Sequence, residues 1–238
     1  MLLTLSNLKA LKADVVPSLT TQFENAFSVK LTEEAKTIRD VLGQIDTRLF
    51  KTYTRPYSDK LQEIIQSGVA SPNWPPPPKS KPTDVREYIY EALLSLVLVH
   101  TQVSTTATSL TQEIIQHLLE EMSRELLIAF TTRKDYTLAG LMQATLDVEF
   151  VSQTLSHYTS DKAAEWQSQI YQELDKCTDD AARIKLQSEL PVMRDVLKAL
   201  RVGSNNEFAC FRGSKAKRKG TKRTESGASG ATKQSGAF

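Results

Sequence analysis

The chain has 238 residues, enough for one or two compact domains with a sizeable core. At 40% hydrophobic and 24% charged, with only nine glycines, it reads as globular and helix-rich rather than disordered. The formal charge of +2 hides an asymmetry. Residues 212–238 hold eight Lys or Arg against Glu225 alone, leaving 22 basic and 27 acidic side chains in residues 1–211. Nucleic-acid binding is therefore arguable from the tail and not from the body. Two cysteines, Cys177 and Cys210, give neither a disulfide framework nor metal spacing, which fits a reducing compartment. The start, MLLTLSNLKALK, lacks a basic leader and a small-residue cleavage site, so no secretory signal is expected. The most apolar stretch, ALLSLVLV, is far shorter than the about 20 residues a bilayer span needs, and a soluble protein is expected.

Helical periodicity recurs along the chain with punctuation between segments. Leu2, Leu5, Leu8 and Leu11 stand three apart before Pro17, and a second segment runs through Phe23 and Phe27. A third starts near Thr32 and carries Ile38, Val41, Leu42, Ile45 and Leu49 on one face. Pro56 is expected to break or kink it, with helix resuming behind a Ser58 cap. Residues 68–83, GVASPNWPPPPKSKPT, hold six of the nine prolines and read as an extended linker. The plain reading is a stiff spacer; the other is bait for an SH3 or WW domain around Trp74 and Pro75–Pro78.

Beyond the linker the pattern becomes regular. Asp84 with Glu87 forms a capping pair ahead of Val85, Tyr88, Ala92, Leu96, Val99 and Val103. Ser109 with Gln112 forms a capping box ahead of Leu110, Ile114, Leu118, Met122 and Leu126. A third helix begins near Asp135, Thr159 or Ser160 starts a fourth, Thr178 and Ser188 each open one more, and Gly203 is the final stop. Joints of two to six residues imply antiparallel neighbours.

Chemistry is scarce. His100 stands before a run in which seven of the eleven residues from Thr101 to Thr111 are Ser or Thr. Nothing nearby orients the imidazole as a general base, whereas Ser and Thr collect where one helix ends and another starts, so a joint is expected. Glu113, His117 and Glu121 share one helix face, but bundle metal sites need Glu-x-x-His on two helices, and a solvated polar face is the better reading. His157 sits at a helix end, where an imidazolium suits the dipole. Cys177 and Cys210 read as ordinary buried or interface thiols. No catalytic, cofactor-binding or metal residue is assigned, and no cofactor is implied. The tail cluster Lys215, Lys217, Arg218, Lys219, Lys222 and Arg223 is expected to be disordered, and could touch anionic lipid, serve as a nuclear address, brush RNA, or simply solubilise.

Three segments carry a resemblance: VREYIYEALLSLVLVHTQVSTTATSLTQEIIQHLLEEMSRELL, YTLAGLMQATLDVEFVSQTLSHYTSDKAAEWQSQIYQEL and EFACFR. They resemble the C-terminal region of the Sec-five family of exocyst subunits, in wording of the filamentous-fungal type, best over residues 84–212. The resemblance implies a non-enzymatic helical rod that tethers secretory vesicles at the plasma membrane before fusion. It also implies partnership with the other exocyst subunits and with small GTPases of the Rab, Rho or Ral type, and a cytoplasmic site at zones of polarised secretion. Family members are several times longer, so the chain is expected to be a C-terminal portion, a gene fragment or a mis-started gene model. Met1–Val16 is then expected to be an uncovered interface.

The expected fold is all-α: an elongated antiparallel helical bundle or rod of the tethering-complex type. Its expected organisation is a helical segment over 1–67, a proline-rich linker over 68–83, a helical bundle over 84–211 and a basic tail over 212–238. The alternative function is a free-standing adaptor acting through the linker, or through the tail on anionic lipid or nucleic acid.

Overall fold

The computed structural model describes residues 1–74, 76–77, 80–133 and 136–213. The basic cluster from Lys215 to Arg223 and the Asp135 helix start lie outside the described residues, as do Pro75 and Pro78. The protein is an elongated, mostly antiparallel all-α bundle. Its helices are α1 (Leu2–Ala10), α2 (Val16–Phe27), α3 (Thr32–Ala70), α4 (Glu87–Thr106), α5 (Thr111–Thr132), α6 (Leu138–Thr154), α7 (Asp161–Lys176) and α8 (Asp180–Gly203).

The first two helices are fused by a π turn at Leu11–Val15, so Pro17 enters one continuous helical run instead of ending it. Ser28, in the left-handed region at φ 54°, turns the chain back, and Glu24 accepts the Leu31 N–H at 2.7 Å. The 39 residues of α3 then run unbroken through Pro56, about 58 Å at 1.5 Å per residue. The expected break at Pro56 and the Ser58 restart are therefore absent. Pro56 and Thr52 are both exposed, so the carbonyl that loses its partner lies on the solvent side. Packing on both sides of the proline, by Tyr53 and Thr54 before it and Leu61, Ile64 and Ile65 after it, keeps the helix continuous across it. The same physics corrects α8: Pro191 is exposed, Ser188 opens nothing, and its hydroxyl donates back to the Lys185 carbonyl at 2.7 Å.

The core sits around α5, which packs on α3 on one side and α7 on the other, while α6 lies against α8. Helix α6 is apolar around most of its circumference, as an interior helix must be, and buries Leu141, Met142, Leu146, Val148, Phe150 and Val151. One hydrophobic cluster extends from Leu2 through Trp74 to Phe211. In the proline-rich stretch Trp74 is buried against Phe130 and Tyr136, with its rings 5.7 and 6.0 Å from theirs, and Arg133 lies over its face at 4.9 Å.

Helix starts follow the expected rules where the cap is local. Ser160 accepts the Ala163 N–H at 3.1 Å, Asp179 (not Thr178) accepts that of Ala182 at 2.6 Å, and Thr137 accepts that of Gly140 at 3.1 Å. Two expected boxes are not made. A 3-10 turn at Thr108–Leu110 leads into α5 with no side-chain cap, so the Ser109–Gln112 box is absent, and Gln112 donates to the His157 carbonyl instead. Asp84 binds the Val85 N–H and the Tyr90 hydroxyl, and leaves the start of α4 to another residue.

Candidate interaction surfaces

His100 lies within α4 near its end, and its Nε2 is 3.1 Å from the Tyr158 hydroxyl, with the Phe211 ring edge-on at 5.7 Å. The hydroxyls after it are occupied with helix carbonyls: Thr101 donates to Val97, Thr105 to Thr101 and Thr108 to Ser104. Histidine and hydroxyls thus form a packed joint between α4 and α5, closed by the turns around Tyr158 and Phe211. His157 falls in the 3-10 turn Ser156–Tyr158 that follows α6, edge-on to the Tyr158 ring.

The Glu113–His117–Glu121 face is partly solvated, with Glu113 exposed and His117 and Glu121 half-buried. Glu113 pairs with Lys9 of α1 at 3.0 Å, His117 packs edge-on against Phe50 of α3, and Glu121 pairs with Arg124 at 2.6 Å. Glu113 and His117 thus tie α1 and α3 to α5, while the Glu121 pair stays within α5. Among the described residues no three His, Cys, Asp or Glu side chains cluster as metal ligands. Cys177 is exposed at the end of α7, which removes the buried half of the expectation for it, and Cys210 is half-buried.

One polar cluster, which the sequence pattern did not single out, organises the α4–α6 junction. Asp147 of α6 is fully buried and accepts from three donors: the Arg86 backbone N–H at 3.1 Å, Gln143 Nε2 at 2.9 Å and the Tyr88 hydroxyl at 3.0 Å. It thereby caps α4 from a helix some sixty positions on. Gln143 also donates to the Asp84 carbonyl at 2.9 Å, and the Arg86 guanidinium to the Trp74 carbonyl at 2.6 Å. Burial raises the Asp147 pKa from 3.8 to about 7, against the lowering effect of its hydrogen bonds. Burial, then Asp147, holds the Tyr88 phenol well above its ordinary range. A carboxyl enclosed this completely serves structure, since no substrate reaches it.

Surface character concentrates in the helical hairpin made by α1–α2 and the first half of α3. Leu5, Leu8, Lys12, Val16, Thr20 and Glu24 on one strut and Ala35, Leu42, Asp46 and Leu49 on the other are among the residues half-buried or better, and they mark the line along which the two struts meet. Leu11, Val15, Leu19, Phe23 and Phe27 each precede that contact line, as do Val41 and Ile45 on α3, with Ile38 one turn away. In an antiparallel pair these positions share one side, so they form a continuous exposed apolar flank. The opposite flank is an open groove of about 1090 Å³ lined by Lys12, Lys36, Arg39, Arg48, Lys51 and Arg55, with Asp40 as its one anion.

The family described as exocyst complex component Sec5 matches residues 1–211. The chain belongs to the Sec5 family. Two relatives carry the name exocyst complex component 2, one from Homo sapiens and one from Mus musculus. Each is 22% identical to this chain over 170 residues, covering 71% of the chain and 18% of the relative. The chain thus spans less than a fifth of the length of the curated relatives it matches. No solved structure matches it.

The Sec5 match takes in both flanks of the hairpin, the Asp147 junction and the turn at Ala209–Phe211. Among the described residues no helix is long and apolar enough to cross a membrane.

Proposed function

We propose that the chain is the C-terminal portion of a fungal-type Sec5 subunit and acts as a rigid rod in vesicle tethering. It holds secretory vesicles at the plasma membrane before fusion through contacts with the other exocyst subunits, from the cytoplasmic side and at sites of polarised secretion. Contacts with small GTPases and with anionic lipid, the latter through the tail from Lys215 to Arg223, complete the reading. The family match over residues 1–211 supports the exocyst part of this reading. A bundle nearly 60 Å along α3 with an uncovered apolar flank suits a part that transmits position and docks neighbours.

The test is affinity purification of the tagged chain from a fungal lysate, with mass spectrometry of the co-purifying proteins. Recovery of other exocyst subunits is the expected result. A folded, helical sample that recovers none overturns the assignment of an assembly role to these residues.

A further inference from the structure

We infer that the basic groove along α3 is a docking site for an acidic helical segment of a partner protein. The inference goes beyond the tethering role and stands whether or not the partner belongs to the exocyst. Six cations and one anion line the groove, although residues 1–211 as a whole carry an excess of acid. The segregation is therefore local and not a consequence of overall charge.

The cations are largely uncommitted. Lys12 reaches Asp46 only at 4.0 Å and Arg55 reaches Asp59 at 3.7 Å, both on exposed or half-exposed side chains. Lys36, Arg39, Arg48 and Lys51 have no carboxylate within 4.0 Å among the described residues. An array of like charges held along one helix destabilises that helix slightly, and an anionic partner relieves it.

Shape selects the partner class. From Lys36 to Arg55 the array is linear, about 28 Å long at 1.5 Å per residue, or roughly five helical turns. Between the cations the floor is low: Gly43, Thr47 and Thr52 line it, and the Lys12 amine lies 3.6 Å from where a Cβ on Gly43 would stand. A linear, open basic strip with small side chains between its cations takes a rod with carboxylates at three- and four-residue spacing. A bilayer fits less well: docking through the basic side would leave the apolar flank in water on the far side, so a membrane would gain no apolar burial to add to the electrostatic attraction.

The test uses the full chain and two probes: a synthetic Ala/Glu helix of about 20 residues with Glu at every third or fourth position, and phosphatidylcholine vesicles with and without phosphatidylserine. A matched Ala/Lys helix is the control, and binding is followed by fluorescence anisotropy at low ionic strength. One variant carries Arg39→Glu, Arg48→Glu and Lys51→Glu, all exposed positions. A second carries Lys217→Gln, Arg218→Gln and Lys219→Gln in the tail. The expected result is that the acidic helix binds, that the groove variant weakens it by about tenfold or more, and that the tail variant changes it less than about twofold. The Lys helix should bind the reversed groove in preference to the native one. The milder pair Arg48→Gln and Lys51→Gln should lower affinity in the same direction, which guards against misfolding of the reversed variant. Absence of acidic-helix binding, loss of it in the tail variant alone, or groove-dependent binding of the anionic vesicles without the helix would each overturn the inference.

Discussion

Replacing Asp147 with Asn tests the buried junction at its centre. Asp147 has no exposed surface and receives three hydrogen bonds, and its pKa rises from 3.8 to about 7 on burial. Between those two values the folded protein keeps a proton that the unfolded chain gives up. Folding stability from this group is thus greatest below the unfolded pKa and declines as pH rises, until ionisation is complete in both states above about 7. The full span is on the order of 4 kcal/mol at 1.36 kcal/mol per unit. Asn reproduces the protonated acid: its oxygen accepts from Arg86 and Gln143, and its amide faces the Tyr88 hydroxyl. Asp147→Asn should therefore gain on the native chain by about 3 kcal/mol between pH 5 and pH 8, the part of the window those limits include. Urea unfolding followed by circular dichroism, run on both proteins across that range, measures the difference. A difference that stays flat would mean that Asp147 titrates at its ordinary value, and the burial argument would fail. Asp147→Ala separates capping from charge, because it leaves three donors without an acceptor and should cost several kcal/mol at every pH.

Gly68→Ala should destabilise by about 1–3 kcal/mol, because a Cβ there overlaps the Tyr88 side chain where α3 meets α4; Gly203→Ala, with nothing within 4 Å, should be neutral or stabilising in the same thermal melts. Trp74→Ala should cost about 3–5 kcal/mol in chemical denaturation by removing the contacts to Phe130, Tyr136 and Arg133, and a loss below about 1 kcal/mol would refute the anchoring of the proline-rich stretch. Pro56→Ala should raise the melting temperature through a gain of about 2 kcal/mol, since it restores a helix hydrogen bond at an exposed position; a lower Tm would mean that the proline shapes α3.

The surfaces were only half legible in advance. The apolar periodicity of Phe23 and Phe27, and of Ile38, Val41 and Ile45, is plain in the sequence, but it reads as core. Only the arrangement of α1–α2 against α3 shows that these residues face outward. The basic groove is similar: Lys36, Arg39, Arg48, Lys51 and Arg55 recur along one helix, while Lys12 joins them through a hairpin contact no local pattern announces. The Asp147 junction gave no signal at all, since a single acid inside an apolar stripe looks like an ordinary irregularity. Its meaning depends on the α4 N-terminus brought to it.

By itself the sequence determined what local physics controls. Three- and four-residue apolar spacing marks helix over α3 to α7 but splits α3 at Pro56 and α8 at Ser188, Ser160 caps its own helix, and the hydroxyl run after His100 marks a joint. Tertiary structure decided whether Pro56 and Pro191 end a helix, who caps α4, and which flank of the hairpin stays uncovered. The reason is one of magnitude. A cap is worth about 1 kcal/mol and an interior proline costs about 3, whereas burying several Leu, Ile and Phe side chains on both sides of a site contributes more than either. Where long-range packing is dense it overrides the local signal, and where it is thin, as at Ser160, the local signal stands.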